Sequence, residues 1–214
     1  MLINSFCIDD DDNVSARVGK GLYLEASVID HSCWPNAIWV FSGKTLTVRA
    51  IDDIESFADV RINYIAVEAA KEQRREMLMK QWYFQCRCPE CTFENPGSED
   101  REAFKKAGEP ACLKELEHKF DTHFENEDWQ LSFEYGRSLL SAYNFLHPPY
   151  SISKACVAMN VGLSAFKVNL LDQAKRYMQE AEAQMRVTHG TQHGFYTDLL
   201  APLMNIVMDH GEQQ

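Results

Sequence analysis

The sequence predicts an α+β protein in two parts: a strand-rich first part closed by a metal-binding cysteine cluster, and an all-helical second part. Three observations carry this. Short apolar segments broken by glycine-bearing turns fill roughly the first 66 residues. A C-x-C-x-x-C run, Cys86, Cys88 and Cys91, follows a helical segment. From Leu113 onward, apolar residues recur at helical spacing almost to the end. The expected divisions are 1–66 for the strands, 67–100 for the helix and cysteine segment, and 101–214 for the helical part.

The elements follow in order. Asp9 to Asp12 form an acidic run, expected as a solvated loop. Val18-Gly19-Lys20-Gly21-Leu22-Tyr23 is punctuated by glycines that permit dihedrals closed to other residues. Residues 37–41 read as a strand, Ser42-Gly43-Lys44 as a turn and Thr45 to Ala50 as the returning strand, a β-hairpin by turn chemistry and alternation. Val60 to Tyr64 is a further short strand. Glu68 to about Tyr83 is rich in Ala, Glu, Lys, Arg, Met and Leu and is expected to be helical. Phe93 to Gly108 is expected to be a polar linker. Beyond it, Leu113–Phe124, Trp129–Leu146, Ile152–Asn169, Leu171–Val187 and Phe195–Asp209 are predicted helices. His147-Pro148-Pro149-Tyr150 breaks the second from the third, and Gly190 the fourth from the last. Helix pairs of this length fit a tetratricopeptide-like array, without a strict ~34-residue consensus, and fit a plain helical bundle almost equally.

Composition narrows the function classes. The formal net charge of −11 argues against direct nucleic-acid binding, which needs a basic face. It is compatible with a basic partner such as a lysine-rich peptide, and equally with acidic side chains that only confer solubility. Seven cysteines, several of them scattered, point to a reducing compartment, cytoplasmic and nuclear, rather than a disulfide framework. No apolar run approaches bilayer-spanning length and the N-terminus lacks the regions of a signal peptide, so no membrane is expected. Asn13-Val14-Ser15 fits the glycosylation sequon but would not meet that machinery in such a compartment.

The cysteine triplet is the sharpest chemical signal. Three thiols within six residues supply three ligands on one tight turn, and zinc takes four thiolates in a closed, structural shell. The fourth ligand must come from far away in sequence. Free buried thiols without a metal are the competing reading, and the tight spacing disfavours them.

Three motifs, in order, resemble a known family: His31-Ser32-Cys33-x-Pro35-Asn36, then Ile62-x-Tyr64, then Phe84-x-Cys86-x-Cys88-x-x-Cys91. Together they resemble the C-terminal half of a SET domain with its post-SET zinc site. More narrowly, they resemble the SET and MYND domain-containing lysine methyltransferases, whose helical, tetratricopeptide-like C-terminal domain the second part would match. Gly19-x-Gly21-Leu22-Tyr23 and Met185 to Gly190 are similar to segments of the same subfamily. The resemblance implies a partial SET β-fold, one structural zinc on Cys33, Cys86, Cys88 and Cys91, and S-adenosylmethionine-dependent methylation of a lysine in a histone or other protein. It implies Tyr64 as the catalytic residue and Ser27, Asp30, His31 and Phe84 around the cofactor. Phe6 and Trp82 would line the lysine channel, with Asn4 at its entrance. The helical part would dock other proteins.

Methyl transfer needs a neutral amine held in line with the departing sulfur. A tyrosine hydroxyl can orient that amine without charge, and aromatic walls tolerate cations on their π faces. A narrow apolar channel disfavours the charged lysine. The sequence also departs from the family. Asp30 stands where the family has Asn, and an ionised carboxylate only accepts hydrogen bonds. Phe57-Ala58-Asp59-Val60 replaces Gly-Glu-Glu-Leu, and Phe at the first position is expected to lose access to a positive-φ turn. The family's Gly-x-Gly cofactor segment, its MYND module and its first SET strands have no counterpart here, so the expectation is an incomplete form of the enzyme that by itself binds S-adenosylmethionine weakly or not at all. The alternatives are a non-catalytic, zinc-stabilised binding module that docks through its helices and, less well supported by His31 and Tyr64, an unrelated zinc ribbon.

Overall fold

A computed structural model describes residues 4–10, 13–107 and 109–209. The chain divides into two compact units, Met1–Lys106 and Ala107–Gln214.

In the first unit, β1 (Ser5–Asp10) and β2 (Asn13–Leu22) form an antiparallel hairpin whose register shifts beside Ile8 and Asp9. The acidic run is therefore strand at Asp9 and Asp10, not loop. Asp11 and Asp12 lie outside the described residues. The two glycines of the Gly19-x-Gly21 segment sit in β2, and there Gly21 is required by space: a Cβ would meet the Tyr23 ring at 2.6 Å. β3 (Asp30–His31) pairs in parallel with β6 (Arg61–Ile62), and β4 (Ala37–Ser42) pairs antiparallel with β5 (Thr45–Ala50). The expected hairpin is present with a two-residue turn, Gly43-Lys44, because Ser42 and Thr45 already pair. Gly43 has φ 55, and positive φ at the first turn position alone matches the strand twist. These three pairs make an open β arrangement among the described residues, not a closed barrel.

The strand expected over 60–64 is regular only at Arg61 and Ile62. Its neighbours are held by side chains instead. Asn36 Oδ1 accepts from the Arg61 N–H at 2.7 Å and Asn36 Nδ2 donates to the Asp59 carbonyl at 2.9 Å. Asn36 thus takes the part of a missing strand partner. Ile29, Ala37 and Ile62 form a small core beneath, with Phe6, Trp39 and Tyr64 against it. Phe57 begins a short 3₁₀ turn, Phe57–Asp59. It is exposed and has no positive φ, so the departure from the family's glycine brings no backbone strain there.

Helix α1 (Lys71–Trp82) starts slightly later than expected and ends at Tyr83 in the left-handed region, φ 62. A short helix, α2 (Pro89–Thr92), carries the C-x-x-C turn with Pro89 at its first position, where the missing N–H costs nothing. The expected linker over 93–108 is a correction. Ser98–Lys106 forms helix α3, with Arg101, Glu102 and Lys105 buried. Its polar composition hid it, because its inward face is charged. Arg101 makes a two-pronged pair with Glu90 at 2.9 and 2.6 Å, and Glu102 accepts the Lys71 N–H of α1 on both oxygens at 3.0 Å.

The second unit is a multi-helix bundle: α4 (Glu109–Glu125), α5 (Trp129–Leu146), α6 (Ile152–Lys167), α7 (Leu171–Thr188) and α8 (Ala201–Asp209). Consecutive helices α4 to α7 pack side by side. α6 buries a face of small residues, Ala155, Ala158, Gly162 and Ala165, so its neighbours approach closely. Gly162 lies against Met178, and Gly136 of α5 faces Val161 and Phe120. Ser151 caps α6 by accepting the Lys154 N–H. Gly190, φ 84, ends α7 as expected. The last predicted helix opens instead as a π-helical turn, Phe195–Leu200, before α8.

Candidate metal centre and adjoining clefts

Cys86 and Cys88 come from the turn between α1 and α2, Cys91 from α2 itself, and Cys33 from the segment after β3. Their four sulfurs all lie within 4.8 Å of one another, with Cys33 and Cys91 at 3.7 Å. A tetrahedral thiolate shell with bonds of ~2.3 Å has edges of roughly 3.8 Å, so the spacing suits a zinc ion. The four sulfurs also perturb one another's protonation. Neighbouring sulfurs, Cys86 foremost, push the Cys33 thiol up, while hydrogen bonds from the same neighbours, Cys33 foremost, pull Cys88 down. A divalent cation removes this conflict by holding all four as thiolates. Leu78, fully buried, and Tyr64, Trp82 and Phe84 pack against the cluster.

His31 connects this centre to the segment after β6 that carries Tyr64. Its Nδ1 accepts the Tyr64 backbone N–H at 3.0 Å. The neutral ring therefore carries its proton on Nε2, which lies 3.3 Å from Cys33 Sγ and donates to it. Burial pushes the His31 pKa down to about 4, in keeping with a neutral ring. Tyr64 donates its hydroxyl proton to the Ile29 carbonyl at 2.5 Å. Burial first, and the Asp30 charge second, push its pKa up, so the phenol stays protonated. Its ring lies 5.3 Å from Trp82, 5.2 Å from His31 and 6.5 Å from Phe84. The left-handed turn at Tyr83 makes this possible: Tyr83 points into solvent, and the residues on either side of it both face Tyr64.

Two clefts meet at Tyr64. One, of about 600 Å³, is lined by Ser27, Asp30, His31 and Phe84, with Arg61 and Arg87. The other, of about 480 Å³, is lined by Phe6, Ile29, Trp39 and Trp82, among others. Asn4, Ser27, Tyr64 and Trp82 border both. Of the residues expected around a cofactor, Asp30, His31 and Phe84 line only the first cleft and Ser27 lines both; of those expected around a lysine, Phe6 lines only the second, and Asn4 and Trp82 line both. The Ser27 hydroxyl lies 2.6 Å from the Tyr23 carbonyl and 3.1 Å from that of Asn4. Sequence reasoning missed Trp39, Arg74, Arg87, Glu90 and Arg101. Trp39 reads as one more strand residue, Arg87 is an exposed residue inside the cysteine run, and for Arg74, Glu90 and Arg101 nothing in the sequence separates a buried charge from a solvated one.

Residues 2–65 match the family model described as SET domain. The chain is similar to N-lysine methyltransferase SMYD2 of Homo sapiens, 23% identical over an aligned length of 247, with 92% of this chain and 57% of the relative covered. It is similar to Histone-lysine N-methyltransferase SMYD3 of Homo sapiens, 26% identical, with 94% and 56% covered. N-lysine methyltransferase SMYD2-A of Danio rerio is 21% identical, with 92% and 57% covered. The chain spans a little more than half the length of these relatives. At low identity, then, the chain resembles the SET and MYND lysine methyltransferases, with a partial SET region and a four-cysteine cluster suited to a structural zinc.

Proposed function

We propose that the first unit carries one side of the active site of an S-adenosylmethionine-dependent protein lysine methyltransferase. The observation that supports this best is the pair of clefts sharing Tyr64. Methyl transfer needs donor and amine to approach one point from opposite directions, and two clefts that share Tyr64 in their lining suit that requirement. Bound S-adenosylmethionine would supply the methyl group, with Phe84 and His31 beside it. Asp30 together with Arg61 and Arg87 gives this cleft both signs of charge, which suits the zwitterionic end of the cofactor. Asp30 in place of Asn is compatible with that role, since its carboxylate can accept from an ammonium.

In the second cleft, burial of the lysine among Phe6, Trp39 and Trp82 removes water and so favours the neutral amine, while their π faces accommodate the methylated ammonium that results. Tyr64 has committed its proton to the Ile29 carbonyl, so its oxygen accepts from whatever amine enters. That fixes the amine's orientation while leaving its lone pair free for the methyl. The zinc would keep the Trp82 to Cys91 segment against these residues. The helical bundle suits protein docking, and a lysine-bearing histone or other protein is the substrate class.

Isothermal titration with S-adenosylmethionine and a radiolabelled methyl assay on lysine-rich protein test the reading. Cofactor binding with turnover abolished by Tyr64→Phe supports it for this polypeptide. If a polypeptide extended to the length of the relatives shows neither, the catalytic reading fails and a zinc-stabilised binding module takes its place.

A further inference from the structure

Arg74 is the most deeply buried charge of the first unit, 1% exposed, and neither cleft uses it. Its Nε donates to Cys33 Sγ at 3.3 Å and its Nη2 to Cys91 Sγ at 3.7 Å. Its Nη1 donates to the Ala69 carbonyl and lies 3.6 Å from Glu102 Oε2. The other two sulfurs take backbone donors: the Cys33 N–H points to Cys88 and the Cys88 N–H to Cys86, at 3.4 and 3.5 Å. The guanidinium therefore serves one ligand of the local triplet and the one ligand that comes from a different part of the chain. A zinc with four thiolates carries a net charge of −2, which is costly in a buried site, and hydrogen-bond donors around the sulfurs set its affinity.

We propose that Arg74 is a positioning residue of the zinc centre, seating the remote ligand Cys33 and offsetting the charge of the thiolate shell. Glu102 of α3 sets the guanidinium in place. This rests on the zinc reading of the four cysteines. Without the fork, Cys91 loses one donor but stays beside Cys86 and Cys88 on one short segment, whereas Cys33 keeps only the His31 Nε2–H and belongs to a distant segment, so Cys33 is the ligand that exchanges. A lysine would keep the charge but not two directed N–H donors.

The test uses the zinc-loaded chain with Arg74→Met and Arg74→Lys. Competition with a chromophoric chelator should show zinc affinity lowered roughly 10–100-fold in Arg74→Met, and less in Arg74→Lys. Alkylation mapped by mass spectrometry should show Cys33 modified faster while Cys86, Cys88 and Cys91 stay protected. In the cobalt-substituted variant, the sulfur-to-metal absorption should weaken and move to lower energy. Equal acceleration at all four cysteines, or unchanged affinity and spectrum, would mean that Arg74 only supports the fold and overturns the proposal. If the variants do not fold, the native sequence decides. With ¹¹³Cd in the site, the Arg74 Hε should show scalar coupling to the metal through Cys33, and its absence overturns the proposal. A folded native chain that takes up no metal overturns the zinc reading itself and this inference with it, an outcome distinct from one bound zinc indifferent to Arg74.

Discussion

Tyr64 spends its backbone N–H on His31 and its hydroxyl proton on Ile29. Both bonds aim the phenol oxygen at the junction of the two clefts. Tyr64→Phe keeps the ring packing and removes only the oxygen. In an active polypeptide it should lower kcat on the order of 10²-fold while leaving the cofactor Kd nearly unchanged; equal losses in both would make Tyr64 merely structural. Lys105 offers a second prediction at this scale. It is 5% exposed, and burial, with Arg74 nearby, pushes its pKa down to about 8. The folded chain then binds its proton less tightly than the unfolded chain. Stability from this group rises with pH between about 8 and 10.5 and is lost as pH falls through that window. Lys105→Met should therefore stabilise the first unit by on the order of 1–3 kcal/mol at pH 7, and by much less near pH 10.5. Urea denaturation at the two pH values checks this.

Helix α3 is fastened by charge. Arg101 grips Glu90, which lies inside the C-x-x-C turn, and its guanidinium also stacks 4.0 Å from the Trp34 ring, next to Cys33. The same side chain thus touches residues beside both arms of the cysteine cluster. Arg101→Met would leave the Glu90 carboxylate buried without its counter-charge, and should cost about 3–5 kcal/mol, read as a drop in the denaturation midpoint of the first unit. In the bundle the limiting factor is space rather than charge. A Cβ at Gly136 would meet Val161 at 2.5 Å and Phe120 at 2.6 Å. Gly136→Ala gains helix propensity but overpacks this contact, so the net should be a loss of about 1–2 kcal/mol. A gain in melting temperature would show that Phe120 yields easily.

For the molecule as a whole, the two units depend on different interactions. The first has short strands and a small apolar core, and its cysteine cluster ties a segment near residue 33 to one near residue 90. The second is built from long helices with a continuous small-residue face. Removing zinc with a strong chelator should therefore abolish ordered structure in the first unit and leave the helical signal of the second. Calorimetry should show a metal-sensitive transition and a metal-insensitive one; a single transition that shifts as a whole with zinc would overturn this. Cys88→Ser should act like partial chelation, with its effect largest around residues 82–92.

Elements whose cause is local are legible in the sequence. The hairpin around Gly43, helices α5 and α7 and the ends marked by Gly190 and His147 follow from periodicity and turn chemistry. So does the cysteine triplet, because three ligands on one turn need no distant partner to be recognised. Cys33 was legible only through resemblance, and the tertiary structure brought its sulfur to the triplet. The long-range features come from the folded chain alone: the parallel pairing of β3 with β6, the Asn36 clamp, and the meeting of two clefts at Tyr64. The fold alone made residues 98–106 a packed helix rather than a linker. A buried charge and a solvated charge are the same letter in a sequence, and Arg74, Glu90, Arg101 and Glu102 are separated from their surface counterparts only by partners that the fold brings to them.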